Sequence, residues 1–570
     1  MKILGVTGPI HDTSAAIIVD GKVVAAAEEE RFTRSKHAYK TPPAKAVAFC
    51  LKQAGLKPSD IDAVAYPWNL DEFKANAPRH FIRSVPQGFL HAANSWLKVG
   101  KRFRKYEGKI HKMLKHSGID LGHTRWMNVP HHLAHAASSF HLSGFDRAAV
   151  MTIDALGEYI TSQFCVGEGR NLKILHNDHM PHSFGCFYTS MTEYLGFESN
   201  DGEYKLMGMA PFGDGSKIDL SKVAWVDGDG FHVNPDYVWV SRSKSYNGKL
   251  YSKKLVDLLG PPRVGDAMRE PYNHIAAAVQ DLFVKGVMAL VDKHLGGVLK
   301  ETGNLAFAGG CALNVSLNRH LIARPDVKRL WVQPASNDAG TSLGAAAYAA
   351  VQLGEKLQPM ESAYLGPEYS SAEIKTILDT FMIPYEECKD IEEKVAELLA
   401  KGTMVGWMQG RMEYGPRALG NRSILGSPAF PEMADTINER VKFREKWRPF
   451  CPSILGEFAK EILQTDHPSP FMTFSFTINP TWKAKIPEVV HVDGSGRPQV
   501  VTAESNPRFY KLLKAFHRRT GVPVVINTSF NRRGEPMVCS PQDALTTFYN
   551  CGLEYMAIGD FLIRKPHGPA

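Results

Sequence analysis

Apolar residues open the chain in short, strand-length blocks. KILGVTG (residues 2–8) is followed by a polar loop and then by AAIIVDGKVVAAAEEE, where Asp20-Gly21 separates two β-rich runs and predicts a hairpin turn. The pattern returns near residue 148: AAVMTIDALGEY ends an apolar run on an acidic residue, and ITSQFCVGEGRNLKILH again reads as two strands around a glycine-containing turn. The repetition predicts two related α/β halves facing a cleft.

Helical periodicity dominates elsewhere. Residues 43–120 read as mainly helical, an insertion that includes PAKAVAFCLKQAGL. NHIAAAVQDLFVKGVMALVDKHLGG predicts a strong helix with a glycine stop after His294-Leu295, before the strand NLAFAGG. After the small-residue helix GTSLGAAAYAAVQ, the stretch VQLGEKLQPMESAYLGPEYS mixes Pro, Gly and polar residues, and places a domain boundary near residue 355. Two domains are expected, 1–355 and 356–570.

Composition narrows the class. With 570 residues, 44 % hydrophobic and 22 % charged, the chain can bury two sizeable cores. No run of about 18 apolar residues and no signal-like start are visible, so a cytoplasmic protein without a membrane partner is expected. The eight cysteines form no CxxC pair and read as free, mostly buried thiols. The net charge of +8 is concentrated between Lys98 and Lys115, where eight Lys or Arg meet one Glu. Such a run is ordinarily a solvated helix face, and no nucleic-acid partner is expected.

VPHHLAHAASSF carries the first candidate chemistry. At about 100° per residue, His131 and His135 share a helix face and His132 points elsewhere. An HxxxH pair needs partners, since 22 histidines in 570 residues produce about one by chance. Asp154, ending the strand AAVMTID, and Asp338, in QPASNDAGTSLGAA, complete a candidate His2Asp2 set, although each is also a plausible cap or turn residue. The nitrogen and oxygen donors suit Fe(II), Mn(II) or Zn(II) and do not distinguish them. Gly309 and Gly310 after a strand would let a nucleotide approach the backbone, with Asn314 and Asn337 near its polar edge.

The segments HDTSAAIIVDGKVVAAAEEERFTRSKH, HHLAHAASSF, GEYKLMGMAPFG, AFAGGCALNVSLN and SNDAGTSLGAA resemble the NodU/CmcH O-carbamoyltransferases over nearly the whole chain. The resemblance implies a duplicated actin/Hsp70-like N-terminal domain, and a metal held by His131, His135, Asp154 and Asp338. It also implies a phosphate contact for Lys205. In such a cleft His11 is the candidate general base, with Asp12 orienting it and Lys36 contacting an adenylate. The compact length resembles antibiotic-tailoring members, which points to a small hydroxylated acceptor, an aminoglycoside such as tobramycin. A cephem or Nod factor is the alternative acceptor, and a tRNA-modifying or nucleic-acid-binding relative is the alternative from another class. Glu158, Asp201 and Glu203 lie in motif loops that could meet a cationic sugar. Oligomeric state is not legible.

Beyond residue 355 arginines crowd Gly-rich turns. GRMEYGPRALGNRSIL holds Arg411, Arg417 and Arg422, VKFREKWRPFCPSIL adds Lys442 and Arg448, and Arg497 and INTSFNRRGEP follow. Guanidinium groups and glycine amides both suit phosphate oxygens, so a convergent anion pocket is expected. These motifs resemble the YrdC-like domain of the same family, which implies binding of carbamoyl phosphate and ATP, with Mg2+ accompanying ATP. The matching residues are Arg417, Lys442, Arg448, Arg497, Asn527 and Ser529.

Overall fold

The computed structural model describes residues 1–9, 11–83, 108–239 and 244–566, and divides the chain into two compact units. The first comprises Met1–Glu29 and Ala38–Met360; the second comprises Glu361–Ala570 together with Glu30–His37. The division falls close to residue 355, but the short N-terminal segment belongs to the second unit. Arg31 there donates to the Gly415 carbonyl at 3.1 Å, and Arg34 to those of Pro536 and Met537 at 2.7 and 2.6 Å.

The first unit is a structural duplication. Strands β1 (Lys2–Thr7), β2 (Ser14–Val19), β3 (Lys22–Glu28), β4 (Ala63–Tyr66) and β5 (Arg125–Asn128) form a sheet in the order β3-β2-β1-β4-β5. Its counterpart contains β6 (Arg147–Gly157), β7 (Ile160–Glu168) and β8 (Asn171–His179), completed by strands Asn304–Ala308 and Arg329–Val332. The order is equivalent: in each half the first strand pairs antiparallel with the second and parallel with the fourth. This is the actin/Hsp70-like pattern. Asp20 (φ 49) and Gly21 (φ 77) make the expected β2–β3 turn.

Two helices position the functional side chains. His131–Phe140 packs on β6, β7 and the strand Asn304–Ala308, while Thr341–Gln352 packs on β1, β2 and β4 and against the first helix. The reason for the small-residue run is close approach. A Cβ on Gly344 would stand 1.9 Å from the Ala134 carbonyl oxygen, and one on Gly5 would stand 1.8 Å from that of Ser342. Backbone cannot yield there as a flexible side chain would. Gly344→Ala is therefore expected to cost about 2 kcal/mol or more despite alanine's better helix propensity, read as a lower midpoint in denaturant unfolding.

Two expectations change. The region read as a helical insertion also contains β4, because the four-residue run AVAY is too short for periodicity to distinguish strand from helix. The long helix runs from Tyr272 to Thr302 and ends at Gly303 (φ 67), passing through Gly296 and Gly297. Leu295 and Leu299 are both buried on its core face, so packing outweighs the glycine penalty of about 1 kcal/mol each. By length and composition this helix could cross a membrane, with mean hydropathy 1.5, yet 72 % of its apolar stretch is buried inside the protein. Of the basic segment, residues 98–107 lie outside the described residues; residues 108–116 are helical, with Lys109, Lys112 and Lys115 exposed.

The second unit contains an eight-stranded mixed sheet. Its central strands are Val405–Met408, Arg422–Gly426, Val524–Ser529 and Cys451–Leu455, in that spatial order. Helices Ile391–Ala400 and Pro507–Thr520 pack together beside it. The unit is α/β throughout.

Candidate functional site

The face argument made from helical period holds in three dimensions. His131 and His135 are fully buried, and their Nε2 atoms lie 3.2 Å apart. Asp154 Oδ2 is 3.2 Å from His131 Nε2 and 3.4 Å from His135 Nε2; Asp338 Oδ1 is 3.5 and 3.7 Å from the same atoms. One donor atom from each of the four lies within 4.8 Å of every other. His132 points away. Its Nδ1 accepts from the Thr152 hydroxyl at 2.8 Å and its Nε2 donates to the Ile160 carbonyl at 3.1 Å, and burial lowers its pKa to about 3, so it stays a neutral packing residue.

Two of the donors, His131 and Asp154, are aimed by neighbours. The Pro67 carbonyl faces His131 Nδ1 at 3.4 Å, which leaves Nε2 directed at the carboxylates, and Trp68 stacks on the same ring with centroids 4.5 Å apart. The Gly310 amide donates to Asp154 Oδ1 at 3.2 Å, so the other oxygen turns to the histidines. Gly309 (φ 95) permits this approach, because a Cβ would stand 2.2 Å from the Ile153 carbonyl oxygen. Asp338 opens the turn Asp338–Gly340 at the start of the Thr341–Gln352 helix.

The donor set fits a divalent ion. With metal–nitrogen bonds of about 2.1 Å, nitrogens 3.2 Å apart subtend an angle of about 100° at the metal, between the octahedral and tetrahedral values. Two imidazole lone pairs and two buried carboxylates also create a strong demand for positive charge. Burial opposes protonation of His11, but its bond to Asp12 and the charges of Asp338, Asp12 and Asp154 outweigh burial and lift its pKa to about 9. His131 is raised for the same reason. A cation on the two aspartates removes the charge that holds those protons.

His11 borders the cluster, with Nε2 3.7 Å from Asp338 Oδ2 and Nδ1 3.1 Å from Asp12 Oδ2. Lys36 lies in the Glu30–His37 segment of the second unit. Glu158, expected to face an acceptor, is instead 3 % exposed and accepts main-chain amides from Asn69 and His131. Glu203 accepts from the Thr189 hydroxyl and the Asn200 amide at 2.7 and 2.9 Å, and Asp201 is half-buried beside it. Asn314 is an N-cap for Leu317 and bonds Gln280 through both side-chain atoms, so its amide is occupied. The Asn337 Oδ1 is buried without a hydrogen-bond partner, and Lys205 Nζ lies 5.5 Å above the Phe197 ring.

In the second unit, Lys442 is buried at the end of a single π-helical turn, Asn438–Lys442. Its ammonium donates to the Ser529 carbonyl and hydroxyl, and to Asn531 Oδ1 at 2.8 Å. Asn527 donates to Ser453 Oγ at 3.0 Å, while its own Oδ1 is buried and unpartnered. Arg497 donates through Nε and one terminal nitrogen to Cys451 Sγ, which stands opposite Asn527 in the ladder. Arg448 pairs with Glu445 at 3.3 Å, and Arg417 is half-buried. Sequence reasoning missed Asn531 and Cys451, although both lie inside the quoted motifs.

Two arginines of the expected anion cluster have another task. Arg422 is fully buried and donates to five main-chain carbonyls, those of Gln409, Gly410, Asn421, Pro367 and Cys539. Arg411 donates to the Gly366 and Leu365 carbonyls. Guanidinium groups suit carbonyl clamps as well as phosphates, and spacing does not distinguish the two uses.

Two family descriptions match: Carbamoyltransferase N-terminus over residues 2–347 and Carbamoyltransferase C-terminus over residues 396–565. The chain belongs to the carbamoyltransferase family. It is 36 % identical to the uncharacterized protein sll1178 of Synechocystis, over 100 % of this chain and 97 % of that one. It is 34 % identical to nodulation protein NolNO of Sinorhizobium fredii, over 98 % and 79 % of the two chains. Nodulation protein U of Sinorhizobium fredii shares 26 % identity over the full length of both. The chain is thus a carbamoyltransferase enzyme, and in this carbamoyltransferase the four-donor cluster lies within the N-terminal match.

Proposed function

We propose that this carbamoyltransferase converts ATP and carbamoyl phosphate to carbamoyladenylate, consuming one water and releasing phosphate and pyrophosphate, and passes the carbamoyl group to a hydroxyl of an aminoglycoside such as tobramycin. The observation that carries the reading is the buried His131, His135, Asp154 and Asp338 cluster with His11 at its border. A divalent ion held by those four side chains, Fe(II) favoured over Mn(II) or Zn(II), would supply Lewis acidity toward a carbonyl oxygen. His11 takes the proton of the acceptor hydroxyl while Asp12 holds its ring through Nδ1. The acceptor oxygen bonds to the carbamoyl carbon and the AMP oxygen leaves. Lys205 offsets phosphate charge, and Gly309, Gly310 and Asn337 border the nucleotide. In the second unit Arg417, Lys442, Arg448, Arg497, Asn527 and Ser529 hold carbamoyl phosphate and ATP, with Mg2+ accompanying ATP.

The acidic surroundings support a cationic acceptor. The Tyr39 hydroxyl is pushed above its ordinary pKa by partial burial and then by the charges of Asp12, Glu198, Asp201 and Glu203. Mass spectrometry after incubation with ATP, carbamoyl phosphate and a panel of acceptors tests the reading. Tobramycin is expected to gain one carbamoyl group with release of AMP; a panel on which no hydroxyl is carbamoylated sinks the proposal. A second reading, carbamoylation of a Nod-factor-like chitooligosaccharide, is favoured by the nodulation relatives. Product on the oligosaccharide alone selects it. For an aminoglycoside, Asp201→Asn is expected to raise KM several-fold with little change in kcat, because one unit of attraction for the cation is lost.

A further inference from the structure

The β6–β7 connection is a tight turn whose two central residues, Glu158 (φ 48) and Tyr159 (φ 70), both adopt the left-handed conformation. Turns of this kind ordinarily use Asn or Gly, since other side chains crowd the backbone there. A glutamate in this place is unexpected unless its side chain is needed.

The carboxylate of Glu158 joins three separate pieces of the first unit. One oxygen accepts the Asn69 amide at 2.7 Å, and the other accepts the His131 amide at 3.0 Å. The His131 amide is the first of the helix His131–Phe140, whose N-cap is Pro130 and supplies no side-chain cap. Glu158 therefore satisfies the first of the helix amides, a donor that has no intrahelical acceptor. Asn69 ends the segment Pro67–Asn69, whose first two residues orient the His131 ring by carbonyl and by stacking. The turn itself continues β6, the strand that carries Asp154, and Gly157 lies so close that a Cβ would stand 2.5 Å from the His131 ring.

We propose that Glu158 is a positioning residue for the metal ligands: it locks the start of the histidine helix, the segment that aims His131, and the strand end bearing Asp154 into one geometry. The inference rests on the reading of His131, His135, Asp154 and Asp338 as a metal site, and it assigns Glu158 a role other than acceptor binding. A carboxylate is required because both partners are N–H donors. Glutamine would present an NH2 to one of them, and a shorter side chain cannot span the gap.

Two variants separate positioning from simple stability. Glu158→Gln keeps the volume and removes one acceptor. Glu158→Asn suits the left-handed turn, so it relieves backbone strain while abolishing the clamp. Titration of the full-length metal-free protein with Mn(II) and Zn(II) by calorimetry is expected to show binding weakened about 10- to 100-fold in both variants, with Glu158→Asn retaining a wild-type melting temperature before metal is added. Hydrogen exchange of the metal-free chains is expected to rise in peptides covering residues 67–72 and 129–135, and not in β1–β3. Wild-type metal affinity in both variants overturns the proposal. If the wild-type chain itself binds neither metal, the metal reading fails, and exchange decides the clamp separately: unchanged protection of residues 129–135 in Glu158→Asn overturns that too.

Discussion

His131→Ala and His135→Ala are each expected to lose the bound divalent ion and to abolish carbamoyl transfer, whereas His132→Ala keeps the ion. The two ligands project from one helix face with Nε2 atoms 3.2 Å apart, and removing one leaves three donors, two carboxylates and a single imidazole, to hold the ion. Loss of at least about 100-fold in metal affinity follows for a ligand, more than for a residue that only orients one. His132 contributes two hydrogen bonds to Thr152 and Ile160, so its removal costs about 2 kcal/mol of stability and leaves metal content unchanged. Metal analysis of the purified variants, paired with thermal melting, checks both halves. Full metal in His131→Ala with none in His132→Ala would mean that the assignment of the ligand face is wrong.

Arg422→Met is expected to unfold the second unit rather than merely weaken phosphate binding. The substitution keeps an unbranched side chain of similar length but removes one buried guanidinium shared by five carbonyls, of which those of Asn421 and Pro367 keep a main-chain donor in the amides of Gln409 and Met412. Buried acceptors left without donors cost about 1–3 kcal/mol each, so loss of the shared guanidinium removes a large part of a domain's stability of about 5–15 kcal/mol. Limited proteolysis should cut residues after 361 readily while the first unit resists. Arg497→Met is the contrast. Arg497 is part-buried against a sulfur acceptor, so its loss should leave the unit folded and, on the proposed mechanism, prevent carbamoyladenylate formation. A well-folded Arg422→Met protein with wild-type melting would return that arginine to the candidate anion pocket.

The contrast between these arginines shows where sequence reasoning stops. Arg411, Arg417, Arg422 and Arg497 share the same local chemistry of guanidinium beside glycine. Whether the nearest acceptors are carbonyls of the chain or oxygens of a ligand depends on segments that are distant in sequence. Glu158 illustrates the same limit: its motif suggested a loop carboxylate, and only the packing of Asn69 and His131 against it shows that both oxygens are spent on main-chain amides.

Several features were determined by the sequence alone, because their causes are local. The shared face of His131 and His135 follows from the helical period, and the β2–β3 turn follows from Asp20-Gly21. The two-fold repetition of strand blocks was legible as similar text and recurs as two sheets of equivalent order. Tertiary structure decided the rest. It brought Asp154 and Asp338, already named as candidates in the sequence, to one point with the two histidines by setting a strand end beside a helix start. It extended the long helix through two glycines because Leu299 had a core to enter, and it assigned the Glu30–His37 segment to the second unit. Dihedral preference and helical period act over a few bonds, whereas burial and hydrogen-bond satisfaction depend on whichever distant residues the fold places alongside.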